Sequence, residues 1–177
     1  LYFKDALFAL LLPSGNDIAL MMAQNYLGGE EMFVRRMNQK AKDLHLVNTH
    51  FEDLAGLNDD GNYTTVGELA ELAIYFSNSP QVSVVTATKS TIISTVDGNK
   101  TFALNNLNRL LGFYGVTGIK TGHTEGAGDV LITSTTLNGY NYIIIVMRSQ
   151  DRFFDTEVLL EALLNGVGII TPRSFGN

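Results

Sequence analysis

Two short stretches hold residue types whose spacing could do chemistry. The first is Gly118-Ile119-Lys120-Thr121-Gly122-His123-Thr124, where a lysine, two hydroxyls and a histidine stand among glycines. A cation and hydroxyl donors on an edge strand, with glycines clearing space for a close backbone, suit an anionic or carbonyl-bearing ligand. The second is Ser14-Gly15-Asn16, a hydroxyl and a carboxamide in a tight turn between two apolar helices. Such a pair could relay a proton and bind an amide. Each stretch alone has a plain structural reading: a basic residue at a strand turn, and a loop between helices. Together, one on a helical lobe and one on a sheet edge, they describe the two walls of a cleft.

The elements that must position them follow from pattern. Lys4–Leu12 is apolar nearly all round and reads as a buried helix, ended by Pro13. A second helix over Ile18–Leu27, with Asn16 or Asp17 as N-cap, stops at Gly28-Gly29. Glu30–Leu46 carries Phe33, Met37, Ala41 and Leu44 at helical spacing. A polar loop, Asn48–Tyr63, leads to Thr65-Val66-Gly67-Glu68, a capping box that launches a helix to Phe76. The period then changes. Val82–Thr86, Thr91–Val96 and Lys100–Ala103 read as strands, the last two joined at Asp97-Gly98, and Asn105–Leu111 is ambiguous. Gly115–Thr124, Asp129–Leu137 and Tyr140–Met147 read as further strands, the last pair joined by Asn138-Gly139. Their apolar residues on both faces call for helices on both sides of the sheet. Ser149 or Asp151 caps a closing helix to Leu164, with Phe153, Phe154, Leu159 and Leu160 as its core face. Helices followed by a largely antiparallel sheet make an α+β chain: a helical lobe over 1–80, a sheet lobe with its closing helix over 81–165, and a tail over 166–177.

Composition narrows the function. With 177 residues, 45% hydrophobic and 17% charged, the chain can bury one core, shared at most between two interleaved lobes. A net charge of −6 leaves no basic stripe for a phosphate backbone, so nucleic acid is not expected as a partner. The absence of cysteine excludes disulfides and zinc-thiolate sites. His45 and His50 with Asp43, Glu52 and Asp53 match no standard ligand spacing, so no metal and no cofactor is expected, and Asp43–Asp60 reads as a solvated acidic loop. No apolar run reaches the roughly 20 residues of a spanning helix. The chain opens on Leu1-Tyr2-Phe3-Lys4 without methionine, as if cut from something longer.

The paired motifs resemble those of the penicillin-binding protein and serine β-lactamase superfamily, whose signatures are Ser-x-x-Lys, Ser-Asp-Asn and Lys-Thr-Gly. More closely the chain resembles the low-molecular-mass D-alanyl-D-alanine carboxypeptidases. The stretches that carry this are Leu10–Asp17, Met37–Ala41 with Asn48–Phe51, Gly56-Leu57 through Thr65, and Gly118–Gly128. The resemblance implies a β-lactamase/transpeptidase-like fold and an acyl-enzyme mechanism on peptidoglycan stem pentapeptides, outside the cytoplasmic membrane, with β-lactams as inhibitors. It assigns Ser14 a proton-relay role towards the leaving amine and Asn16 a hold on the substrate amide. Lys120 supplies positive potential, Thr121 bonds the substrate carboxylate within Lys120-Thr121-Gly122, and the backbone N–H of His123, next to Thr124, forms half of an oxyanion hole. Arg109 is a further candidate for the carboxylate; Arg148 and Arg152 either reach the cleft or are surface charges.

One departure is large. No serine of the chain has a lysine three residues on, and Thr86 before Lys89 lies in the wrong place in the order. The nucleophile is therefore expected upstream of Leu1, in an N-terminal segment of the same domain, and this chain is expected to pair with that segment or to self-associate through an uncovered sheet edge. The alternatives are a serine β-lactamase and a non-catalytic wall-binding relative.

Overall fold

The structure, a computed structural model, describes residues 1–58 and 60–166. Asp59 and the tail from 167 onward lie outside the described residues. Five helices come first: α1 (Phe3–Leu11), α2 (Asn16–Gln24), α3 (Gly29–Asp43), α4 (Val66–Ser77) and α5 (Pro80–Thr86). Then follow β1 (Ser90–Ser94), β2 (Thr101–Asn105), β3 (Val116–Thr124), β4 (Gly128–Leu137), β5 (Tyr140–Ser149) and the closing α6 (Arg152–Leu164). The strands form two antiparallel sheets, β1-β2 and β3-β4-β5, in place of one. In the larger sheet α6 packs on one face while α4 and α5 contact the other, so helices do cover both sides.

Local chemistry explains most boundaries. Thr65 caps α4 by accepting the Glu68 N–H at 3.2 Å. The Glu68 carboxylate does not return to Thr65; it takes the Asn48 N–H, the Asn48 amide and the Thr49 hydroxyl, tying the 48–64 loop to α4. Asp151 caps α6 through the N–H groups of Phe153 and Phe154. Asn138 and Gly139 both take positive φ, 52° and 81°, the two-residue hairpin turn that matches strand twist.

Three expectations need correction. Val82–Thr86 is helix, not strand: Pro80 occupies the first turn, where its fixed φ suits a helix and its missing N–H goes unmissed. The β-branched run then places Val85 against Phe8, Leu12 and Ile93 in one apolar cluster, so packing overrides propensity. Gly15, rather than Asn16 or Asp17, is the N-cap of α2, and Asn16 is the first helical residue. On α6, Phe153 and Leu160 join the second cluster with Leu110, Leu111, Val116 and Leu131, whereas Phe154 and Leu159 are exposed. Neighbouring helical residues diverge by about 100°, so adjacent pairs cannot both face the core.

Candidate active site

The Ser14 turn is built by α1. Ser14 has φ of 60°, in the left-handed region that costs a non-glycine residue energy. The Gly15 N–H donates back to the carbonyls of Ala9 and Leu10, and a Cβ at Gly15 would lie 2.6 Å from the Ala9 carbonyl. Glycine is thus required for the turn to fold onto its own helix. Ser14 is half-buried and Asn16 exposed.

The Lys-Thr-Gly stretch lies on β3, which pairs with β4 on one side. Gly118 lets α5 approach, since a Cβ there would meet the Thr86 hydroxyl at 2.9 Å. Thr86 is itself buried, with its hydroxyl near the Ser83 carbonyl. Cross-strand register pairs Thr121 with Leu131 and His123 with Asp129. Leu131 packs with Leu160, so Thr121, His123 and Asp129 share the α6 face, and Lys120, opposite Ile132, lies on the other. Thr121 is buried, Gly122 and His123 are exposed, and Thr124 is half-buried.

The segment between β2 and β3 joins the two motifs. The Leu107 N–H donates to the carbonyl of Leu12, two residues before Ser14, at 3.1 Å. The amide of Asn108, a buried residue, reaches the carbonyl of Gly118, two residues before Lys120, at 3.3 Å. Asn106 caps this strut through the Asn108 N–H and holds the carbonyls of Thr86 and Thr88. Sequence pattern left this segment ambiguous because its order comes from side-chain amides, which have no period.

Two cations gather on consecutive carbonyls. Lys120 Nζ donates to the Thr121 carbonyl at 2.8 Å, and Arg152 Nη1 donates to the Gly122 carbonyl at 2.6 Å. Burial pushes the Lys120 ammonium down to about 8, and the nearby Arg152 charge adds to that fall. Arg152 also meets Asp129 Oδ1 at 3.2 Å, and the same oxygen takes His123 Nδ1 at 2.8 Å. Burial works against the Asp129 carboxylate, but these partners outweigh it and hold its pKa below the ordinary value. Arg152 opens α6, where a cation opposes the helix dipole, so its place is set by these contacts rather than by the helix. Its position beside the helix cap is the one signal of this placement that the sequence carries.

Arg109 lies one ring away. Its guanidinium stacks 4.1 Å from the Phe153 ring centroid, with Arg152 5.3 Å from the same ring. It lines a separate cleft with Phe113, Tyr114, Asp151 and Glu157. Arg148 is exposed, with φ of 54°, and borders a cavity with Thr124, His50 and Tyr63. Asp53, within the acidic loop, collects the N–H groups of Ala55, Gly56, Leu57 and Asn58 and the Asn62 amide, so it organises the loop.

The chain is 36% identical over 144 residues to the D-alanyl-D-alanine carboxypeptidase DacF of Bacillus subtilis, covering 81% of the chain and 37% of the relative. It is 32% identical to a D-alanyl-D-alanine carboxypeptidase of Streptomyces sp. (strain K15), covering 82% of the chain and 54% of the relative. A solved variant of the Streptomyces K15 DD-transpeptidase superimposes with a TM-score of 0.84 at 30% identity, over 89% of this chain and 66% of that one. Penicillin-Binding Protein D2 of Listeria monocytogenes, solved in its cefotaxime-bound form, gives 0.77 at 32% identity, over 89% and 64%. The chain thus spans 37% and 54% of the two curated relatives and about two thirds of the solved chains. The α+β architecture is that of the DD-peptidases, and the family Peptidase_S11, D-alanyl-D-alanine carboxypeptidase, matches residues 1–151. With its paired motifs held on the fold that those relatives share, the chain belongs to the D-alanyl-D-alanine carboxypeptidase family.

Proposed function

We propose that the protein to which this chain belongs is a serine-type D-Ala-D-Ala carboxypeptidase, acting on peptidoglycan stem pentapeptides outside the cytoplasmic membrane. The observation that carries this is the pair of cations on the Thr121 and Gly122 carbonyls. The Arg152 charge disfavours the Lys120 ammonium, and a C-terminal carboxylate bound between them would offset that repulsion. Thr121 and Arg152 would bind that carboxylate, and Lys120 would supply the field around it. Asn16 would hold the peptide amide, and the His123 N–H would face the oxygen that turns negative as the carbonyl is attacked. Ser14 would pass a proton to the departing D-alanine amine.

The nucleophile would come from a segment bearing Ser-x-x-Lys. Its hydroxyl oxygen would bond to the carbonyl carbon of the penultimate D-alanine, terminal D-alanine would leave, and water would then release the acyl group. A cavity of about 630 Å³ between α4, α5 and the larger sheet, lined by Ile74, Thr86, Thr117, Ser134 and Thr136, offers a seat for such a segment. β-Lactams would acylate the same serine. The test is mass spectrometry of the complete protein after exposure to benzylpenicillin: a covalent adduct on a serine followed three residues later by lysine is expected, and the chain without that segment should stay unmodified. A complete protein that gains no adduct overturns the reading.

A further inference from the structure

Asp129 has no part in the roles above, yet it contacts both the His123 imidazole and the Arg152 guanidinium. Its Oδ1 takes both the His123 imidazole, at 2.8 Å, and the Arg152 guanidinium, at 3.2 Å. Arg152 does not depend on it for position. The Gly122 carbonyl takes the same Nη1 at the shorter distance of 2.6 Å, and the Phe153 ring lies beneath the guanidinium. The Arg152 side chain is 18% exposed and that of Asp129 23%, so their attraction is only partly screened by solvent. Asp129 is therefore a fixed anion on the same guanidinium that a ligand's carboxylate must use.

We propose that Asp129 is a specificity-determining residue, an internal competitor that occupies Arg152 and that an incoming carboxylate must displace. Small anions that bring one charge and no other contact gain too little at Arg152 to compete. A peptide carboxylate gains in addition from Thr121, Lys120 and the β3 backbone, and so succeeds. Specificity of this kind comes from disfavouring the wrong partner as much as from attracting the right one. This inference rests on the anion-site reading of the preceding section.

The experiment is calorimetric titration of the intact protein with its Ser-x-x-Lys serine changed to alanine so that no ligand is cleaved, with Asp129 in place (the wild type) and as Asp129→Asn, using N-acetyl-D-Ala-D-Ala, its C-terminal amide, and inorganic phosphate. A unit charge a few ångströms from the site, partly screened, corresponds to about a 3- to 10-fold change. Asp129→Asn is expected to tighten the carboxylate by that factor, to leave the amide unchanged, and to make phosphate a detectable competitor. Asp129→Ser, which lacks the amide's bulk, should do the same. A merely structural role for Asp129 would weaken both dipeptides together, and that result overturns the proposal. If wild type prefers the carboxylate and neither variant tightens it, this inference alone fails. If wild type treats carboxylate and amide alike, the anion-site reading fails and takes the inference with it.

Discussion

Arg152, the first residue of the closing helix, donates to the carbonyl of Gly122 at 2.6 Å, fastening α6 to the Lys-Thr-Gly strand. Its charge also bears on Lys120, whose pKa it helps to lower. One side chain thus fixes the strand's position and adjusts the proton affinity of its lysine.

Replacing that side chain should separate binding from folding. Arg152→Gln removes the charged donor, and hydrogen bonds to charged groups contribute about 1.5–3 kcal/mol, so KM for a pentapeptide should rise about 10- to 100-fold. The same variant relieves Lys120 of a like charge, so the lysine's pKa should rise above about 8. Steady-state kinetics and an NMR titration of the lysine side-chain methylene check the two effects. A variant with wild-type KM and an unchanged titration contradicts the assignment.

Lys120 predicts opposite pH trends for stability and binding. In the folded chain it titrates near 8, against about 10.4 for an unfolded lysine. Between those values the unfolded state binds more protons, so this group makes the fold more stable as pH rises through the window. The ammonium that attracts a carboxylate is lost over the same range, so binding should weaken with a midpoint near pH 8. Denaturation and ligand titration across pH 7–10.5 test both signs.

The strut through Asn108 ties the Ser14 turn to the Lys-Thr-Gly strand. Asn108→Ala leaves the Gly118 carbonyl and the Leu110 N–H without their side-chain partner in a buried setting. A loss of about 1–3 kcal/mol is expected in urea denaturation. The structural account of the strut is contradicted if stability is unchanged.

The same chemistry governs the loop beside α4. Asp53 takes four backbone N–H groups and the Asn62 amide, so Asp53→Asn should destabilise the fold by about 1–3 kcal/mol. Burial opposes the Asp53 charge, but those donors dominate and lower its pKa. Its contribution is then full above the unfolded value of about 3.9 and is lost as pH falls through the lower folded value. Acid denaturation of wild type and variant should converge below that point.

Much of this was legible in the sequence. An all-round apolar run located α1, helical spacing α3 and capping residues α4 and α6, Asn138-Gly139 announced the β4–β5 hairpin, and Lys120-Thr121-Gly122 with Ser14-Gly15-Asn16 led to the family. The misses share a cause. Val82–Thr86 looks like a strand by residue type and becomes a helix because Pro80 starts one and Val85 fits against Phe8. Arg152, Asp129 and Asn108 matter through partners 10 to 30 residues away, and contacts of that kind leave no local period.

The measurement that bears most directly on the central claim is release of D-alanine from a stem pentapeptide by the complete protein, with the Lys120→Ala variant alongside. Wild type is expected to release stoichiometric D-alanine, and the variant to lose about 100-fold or more in kcat/KM, the scale on which a buried charge partner contributes. A complete protein that carries Ser-x-x-Lys, folds, and releases no D-alanine would contradict that claim.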